Sequence, residues 1–258
     1  LTAIVLIRKG YKVQIIAKEI EEIPSNKAAG FFFPRHRKCS NPEEKEIFKI
    51  RGIESYKTYK QIAEGNHPFI KTGPKQMPVY FEPTIDPGFG PYIAEGLINE
   101  PEEVVINFGG SKHYKAIEYK IVFINAATVM AELKREAKEL NVKITKKEIK
   151  NFAEVEEKIV FNCAGFGAKE LANDKRMVPA QGHLITLQDQ PIKQLLYMIN
   201  FKFFQPTTEG KPRDELIYFA PREDGILGVT FKRGESSLEA NPHEFERLLA
   251  RCREFFEN

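Results

Sequence analysis

The chain of 258 residues is long enough for one large domain or two interleaved ones, and its 42% hydrophobic and 29% charged residues are typical of a globular protein. A net charge of +3 with scattered lysines does not indicate a nucleic acid or a membrane surface as partner. No apolar stretch reaches the roughly 20 residues that span a bilayer, and we expect no signal peptide. Cys39, Cys163 and Cys252 lack the spacing of metal ligands. We therefore expect no metal site or disulfide framework, and a reducing, cytoplasmic location.

The first third of the chain begins with a pattern typical of a nucleotide-binding unit. Residues 1–10 predict a helix that Gly10 ends, and residues 11–17 predict a strand. A helix that leads into the second strand of such a unit implies an earlier strand and a Gly-rich turn, which we expect before Leu1. A loop then leads to three phenylalanines, and residues 42–65 predict a charged helix with an apolar stripe.

The middle of the chain changes in character. Residues 68–110 combine proline, glycine and short apolar runs, which predict short antiparallel strands and long loops. Residues 125–140 predict an amphipathic helix with Asn125 as its cap, followed by strands at 142–144 and 147–149. The apolar run at 158–164 predicts a buried strand that ends at small residues. Such an end lets a ligand approach the carboxyl edge of a sheet, where open α/β sheets bind nucleotides.

The last third predicts a strand at 183–187, a hairpin of 216–221 with 226–231, and a helix over 242–258. The fold class is therefore α/β, and the chain visits two domains alternately. We assign residues 1–66 and 125–182 to a nucleotide-binding domain, to which 236–258 return. Residues 67–124 and 183–235 form a substrate-binding domain with an antiparallel sheet.

Six short segments occur in an order that is typical of one family. They are IIAKEI at 15–20, AAGFFFP at 28–34, KEIKNF at 147–152, FNCAG at 161–165, PAQGH at 179–183 and YFAP at 218–221. In this order the chain resembles the D-amino-acid oxidase family of flavoproteins, within the wider glycine- and sarcosine-oxidase-like group. The resemblance implies a Rossmann-like FAD-binding domain with an interleaved antiparallel-sheet substrate domain.

The resemblance also implies an FAD site. Glu19 would accept hydrogen bonds from the adenosine ribose, Ile149 would meet the adenine edge, and the small residues at 25–30 would line the pyrophosphate and the flavin. A solvated charge at a strand end and an ordinary glycine turn would give the same sequence. The cofactor-binding residues implied are Ala17, Lys18, Glu19, Ser25, Asn26, Ala28, Ala29, Gly30, Ile149, Ala164, Gly165, Gln181 and Gly182.

The implied reaction is oxidation of the CH–NH bond of a small amino acid or amine. Hydride passes from Cα to flavin N5, giving an imino acid and, if oxygen is the acceptor, hydrogen peroxide. Tyr218 matches a family tyrosine that helps to hold the substrate carboxylate. Asp214 stands where relatives carry an active-site lid tyrosine; it would repel a carboxylate, favour an amino group, or be solvated.

Three alternatives remain open at the level of sequence. The protein is an oxidase of amino acids, a flavin dehydrogenase or oxidase of glycine- or sarcosine-like amines, or a non-catalytic nucleotide-binding relic of the fold. The family's Gly-x-Gly-x-x-Gly turn and its carboxylate-binding arginine are not in these 258 residues. We expect them before Leu1 and after Asn258, unless the protein has lost them. A homo-oligomer is compatible with the sequence.

Overall fold

A computed structural model describes residues 1–34, 39, 41–190, 195–205, 213–222, 225–228 and 230–257, with the backbone alone at 203–205 and 213–215. The helices are α1 (Thr2–Arg8), α2 (Pro24–Lys27), α3 (Pro42–Ala63), α4 (Gly90–Ala94), α5 (Ala126–Glu139), α6 (Ala168–Ala172) and α7 (Pro242–Glu257). The strands are β1 (Gln14–Ala17), β2 (Pro74–Phe81), β3 (Glu102–Ile106), β4 (Tyr114–Ile124), β5 (Lys143–Lys146), β6 (Ala180–Gln181), β7 (Leu184–Thr186), β8 (Met198–Gln205), β9 (Arg213–Ala220), β10 (Ile226–Gly228) and β11 (Lys232–Arg233).

The strands form three sheets. The largest has seven strands in the order β3-β4-β2-β8-β9-β10-β7, with antiparallel neighbours except for the parallel pair β2 and β8. A second sheet is the parallel pair β1 and β5, and a third is the antiparallel pair β6 and β11. The fold is therefore mixed α/β, as the sequence predicts.

The parallel pair of strands β1 and β5 packs against helices α1 and α5. The Asn125 side chain accepts a hydrogen bond from the Thr128 amide and begins α5, as predicted for this cap. Apolar side chains from both helices and from the chain entering β5 form a small core of Ala3, Ile4, Ala137 and Val142. At its edge the Arg8 guanidinium pairs with the buried Glu136 carboxylate, at 2.5 Å. Burial of both apolar faces explains why the predicted helices and strands form here.

The seven-stranded sheet is buried on both faces. Helices α3 and α4 and the phenylalanines at 31–33 cover one face, and α7 covers the other. Helix α7 places Leu248, Cys252 and Phe255 on one side at helical spacing, and the Phe255 ring stacks on Tyr114 of β4 with 4.6 Å between centroids. The sequence predicts that residues 236–258 return to the nucleotide-binding part. The described α7 instead packs on the large sheet, because its apolar side fits the aromatic surface there.

Two predicted strands are not strands. Residues 147–149 follow β5 without strand structure, and residues 158–164 have no strand structure and lie at the surface. The side chains of Ile159 and Phe161 are 75% and 56% exposed. An apolar run becomes a buried strand only where another strand pairs with it and a helix covers it. Within the described residues, β1 pairs with β5 and neither pairs with this run.

The other expectations for the last third are confirmed, except that the strand predicted over 226–231 ends at Gly228 and residues 230–231 have no strand structure. Strand β7 forms within 183–187, α7 forms within 242–258, and β9 pairs antiparallel with β10 through Ala220 and Ile226. Residues 223–224 of the hairpin turn lie outside the described residues.

Candidate active site

The carboxyl ends of β1 and β5 bring one group of predicted residues together. The two strands are parallel, with Ala17 opposite Lys146, and the Lys147 amide donates to the Ala17 carbonyl at 3.0 Å. Carboxyl ends of parallel strands share one edge of a sheet, so Ala17, Lys18 and Glu19 lie at the same edge as Ile149. Lys18 forms an ion pair with Glu148 across this edge, at 2.8 Å and with both side chains exposed.

The Glu19 carboxylate is held by its own loop. Its Oε1 accepts hydrogen bonds from the Ile20 amide at 2.7 Å and the Glu21 amide at 2.8 Å, and its Oε2 pairs with Lys146 Nζ at 3.1 Å. The Glu21 amide most strongly, then the Ile20 amide and Lys146, lower the pKa of the Glu19 carboxyl to about 2. Because the side chain is 38% exposed, the site is an ionised acceptor within reach of solvent.

The segment from Ser25 to Gly30, which comprises the last residues of α2 and the turn after it and is called the 25–30 loop below, contains a second group of predicted residues. The Asn26 side chain donates to the Glu21 carbonyl at 2.5 Å, which ties α2 to the loop after Glu19. Gly30 has a φ of +84°, and a Cβ there would overlap the Ile124 carbonyl oxygen. The Ile124 amide also donates to the Gly30 carbonyl at 2.9 Å. The space beside Gly30 is therefore filled by the protein's own backbone.

Tyr218 lies in β9 on the face of the sheet that points toward this loop. Alternation along β9 places Tyr218 and Ala220 in the core beneath α3 and α4, while Ile217 and Phe219 face α7. The Tyr218 ring meets Phe31, one residue after the loop, edge to face at 5.5 Å. The sequence placed Tyr218 in a strand but gave no indication of this contact, because 187 residues separate the two rings.

The hydroxyl of Tyr218 is buried without a hydrogen-bond partner among the described residues. Only 5% of the residue is exposed. Burial raises the pKa of this hydroxyl, and the positive charge of Arg222 lowers it by a smaller amount. The hydroxyl therefore stays protonated at neutral pH and can donate a hydrogen bond. A buried polar group without a partner costs roughly 1–3 kcal/mol, so an acceptor that reached it would stabilise the site.

Arg222 is a further candidate residue of the site, which no sequence pattern indicates. Its Nη1 donates to the Ala28 carbonyl at 3.0 Å and reaches the Asn26 carbonyl at 3.4 Å. The matched segment YFAP ends at Pro221, one residue before it. The sequence does not predict the contact of Arg222 with these carbonyls, because an arginine in a hairpin turn is usually exposed.

The structure does not bring the other predicted residues to these two groups. Ala164 and Gly165 are exposed and follow Cys163, whose Sγ lies 3.9 Å from the Thr2 hydroxyl at the start of α1. Gln181 donates to the carbonyls of Ser237 and Glu239 before α7, and Gly182 follows it. Asp214 is in the backbone of β9, opposite Phe204, but its side chain lies outside the described part of the chain.

The arrangement combines an ionised acceptor at the edge of a parallel strand pair with a buried hydroxyl donor beneath a backbone loop. The protein around these residues is mixed α/β, with a parallel strand pair and a separate seven-stranded sheet. All of residues 1–258 match the family described as FAD dependent oxidoreductase. The chain belongs to this family of FAD-dependent oxidoreductases, which confirms the resemblance inferred from the sequence.

Individual relatives agree with the family. The chain is 24% identical over 193 residues to a D-amino-acid oxidase of Streptomyces coelicolor, covering 69% of this chain and 57% of the relative. It is 30% identical over 95 residues to a D-amino-acid oxidase of Rubrobacter xylanophilus, covering 36% of this chain and 26% of the relative. The chain thus spans about a quarter to just over half of the length of these curated relatives.

Solved structures share the fold at low sequence identity. The glycine oxidase from Geobacillus kaustophilus has a TM-score of 0.67 and 14% identity, covering 97% of this chain and 73% of that chain. An L-amino acid deaminase from Proteus vulgaris has a TM-score of 0.51 and 14% identity, covering 84% and 58%. At these identities the likeness concerns the fold alone.

The described residues contain neither a metal-binding cluster nor a membrane-spanning helix. No group of three or more His, Cys, Asp or Glu side chains there is placed to hold a metal ion. None of the helices described is both long and apolar enough to cross a bilayer.

Proposed function

We propose that this chain forms part of an FAD-dependent enzyme that oxidises the CH–NH bond of a small amino acid, as in the D-amino-acid oxidase type. Family membership supports FAD as the cofactor. Bound FAD would supply the acceptor for a hydride from the substrate Cα, and the products would be an imino acid and, if oxygen takes up the electrons, hydrogen peroxide. The residues of the chain bind and orient the substrate and FAD.

The observation that carries the proposal is the Tyr218 hydroxyl. It is buried, protonated at neutral pH, and without a partner among the described residues. A substrate carboxylate is the acceptor that such a donor favours, because hydrogen bonds to charged groups are the stronger ones. The donor lies under Phe31, next to the loop that we assign to the flavin. Tyr218 would therefore hold the carboxylate and leave the Cα–H directed to the cofactor.

The residues at the carboxyl ends of β1 and β5 fit the adenosine half of FAD. Glu19 is ionised and partly exposed at the carboxyl edge of β1, where a ribose diol can donate to it. Lys146 occupies its Oε2, so the ribose would share this oxygen with the lysine or displace it. We assign Ala17, Lys18 and Ile149 to the same end, and Ser25, Asn26, Ala28, Ala29 and Gly30 to the pyrophosphate and flavin.

The remaining predicted residues stay as proposals. Ala164 and Gly165 would abut the ribityl and phosphate region, and Gln181 and Gly182 the junction of the two domains. Asp214 would influence which substrate enters. We propose a nucleotide-binding domain of 1–66 and 125–182 and a substrate-binding domain of 67–124 and 183–235, with α7 packed on the sheet of the substrate-binding domain.

Purified full-length protein tests the proposal. It should show the absorbance bands of a flavin and release FAD on denaturation. Anaerobic bleaching with D- and L-amino acids, glycine and sarcosine then identifies the preferred substrate. A colourless protein that takes up no added FAD would contradict the proposal.

The Tyr218→Phe variant tests the role of the hydroxyl. For a substrate with a carboxylate, KM should rise about tenfold or more, because a hydrogen bond to a charged group is lost. For the amide of the same substrate, KM should change little. Tyr11→Phe, at an exposed tyrosine, is the matched control. Equal changes for the acid and its amide would exclude carboxylate binding by Tyr218.

A further inference from the structure

Arg222 connects two parts of the chain that the sequence assigns to different domains. It follows Pro221 at the end of β9, where its amide donates to the Ala220 carbonyl at 2.9 Å and its carbonyl accepts from the Gly225 amide at 2.7 Å. These bonds fix the backbone from which the side chain extends. The guanidinium therefore extends from a residue whose own amide and carbonyl are both hydrogen-bonded.

The guanidinium meets the Asn26–Ala28 backbone, which is 194 to 196 residues away in sequence. Its Nη1 donates to the Ala28 carbonyl at 3.0 Å and lies 3.4 Å from the Asn26 carbonyl. Both contacts are made by this one nitrogen, whose two N–H groups can be directed to two carbonyls of the same segment. The contact thus fixes the distance between the end of β9 and the loop.

Arg222 also acts on Tyr218, the residue that we assign to the substrate. Its Nε is buried and, like the Tyr218 hydroxyl, has no partner among the described residues. Its charge acts on the Tyr218 hydroxyl, four residues earlier in the chain. One side chain therefore contacts the loop assigned to the flavin and influences the tyrosine assigned to the substrate.

We propose that Arg222 is a positioning residue that holds the Asn26–Ala28 loop at a fixed distance from Tyr218. In doing so it sets how the substrate carbon lies against the cofactor. This inference rests on the proposed function. A displacement of about 1 Å in such an arrangement can lower a rate by roughly a hundredfold. Loss of the Arg222 contacts should therefore affect the reaction as well as cofactor binding.

The test compares Arg222→Gln and Arg222→Lys with the control Arg253→Gln, which removes an exposed arginine of α7. Flavin fluorescence measures the Kd for FAD, and anaerobic stopped flow measures the rate of flavin reduction at saturating substrate. Urea unfolding of FAD-free protein measures stability. Arg222→Gln should raise the Kd about tenfold, because the Asn26–Ala28 segment, released from the guanidinium, must be ordered again when FAD binds. It should also slow reduction by a larger factor, while Arg222→Lys recovers part of both and the control matches wild type.

The outcomes separate this inference from the function on which it rests. A wild-type protein that takes up no FAD would overturn both. Wild-type Kd and reduction rate in Arg222→Gln would overturn the inference alone. Loss of stability and FAD affinity with an unchanged reduction rate would show a purely structural role and also overturn it. If Arg222→Gln does not fold, Arg222→Met decides, because it also removes both donors, and wild-type values in that variant would refute the positioning role.

Discussion

Replacement of Gly30 by alanine should destabilise the protein before any cofactor binds. Gly30 has a φ of +84°, which costs an alanine about 1–2 kcal/mol. The added Cβ would also overlap the Ile124 carbonyl, and the bond from the Ile124 amide to the Gly30 carbonyl would be strained or lost. Loss of this hydrogen bond between half-buried groups adds about 0.5–1.5 kcal/mol. The expected loss in the free energy of unfolding is therefore about 1.5–3.5 kcal/mol.

Gly10 provides a matched control. Its φ of +88° is nearly the same, but a Cβ there meets no atom within 4 Å. Gly10→Ala should therefore cost only the backbone term, about 1–2 kcal/mol. Urea unfolding of both FAD-free variants, with free energies from linear extrapolation, measures the difference. Equal losses in the two variants would refute the reasoning, because the overlap at Ile124 would then relax without cost.

Two further predictions concern titration and thiol access. The pKa of the Glu19 carboxyl lies at about 2, below its ordinary value of 4.5, so its contribution to stability is complete above pH 4.5 and disappears as the pH falls toward 2. The difference in unfolding free energy between wild type and Glu19→Gln should shrink over this range, and a constant difference would contradict the assigned contacts. Burial raises the pKa of the Cys252 thiol to about 11, whereas Cys163 is exposed. A thiol reagent should therefore modify Cys163 in the native protein and Cys252 only on unfolding. Mass spectrometry of the labelled peptides measures the two rates of modification. Rapid labelling of Cys252 in the native protein would contradict its burial and show that α7 opens.

Local patterns predicted most of the helices and several strands. The helix over 126–139 follows from its apolar spacing and from Asn125, whose side chain bonds the Thr128 amide. The pairing of β9 with β10 follows from alternation on either side of a turn. These features depend on neighbours within a few residues, which the sequence contains.

The run at 158–164 shows where such reasoning fails. Its residues have the composition of a buried strand, yet Ile159 is 75% exposed. Whether an apolar run is buried depends on the strands and helices around it, and these come from distant parts of the chain. The same limit applies to α7, whose amphipathic pattern predicts a helix but not the sheet on which it packs.

The sequence by itself determined the family of the chain, the order of its main elements, and the identity of Glu19, the 25–30 loop and Tyr218 as candidate site residues. Only the tertiary structure decided that Lys146 and two amides hold the Glu19 carboxylate, that the Ile124 backbone fills the space beside Gly30, and that Arg222 bridges to Ala28. Most of these contacts join residues that are about 90 to 200 positions apart. They depend on the pairing of β1 with β5 and on how the 25–30 loop packs against the large sheet, and no local pattern of residues encodes either.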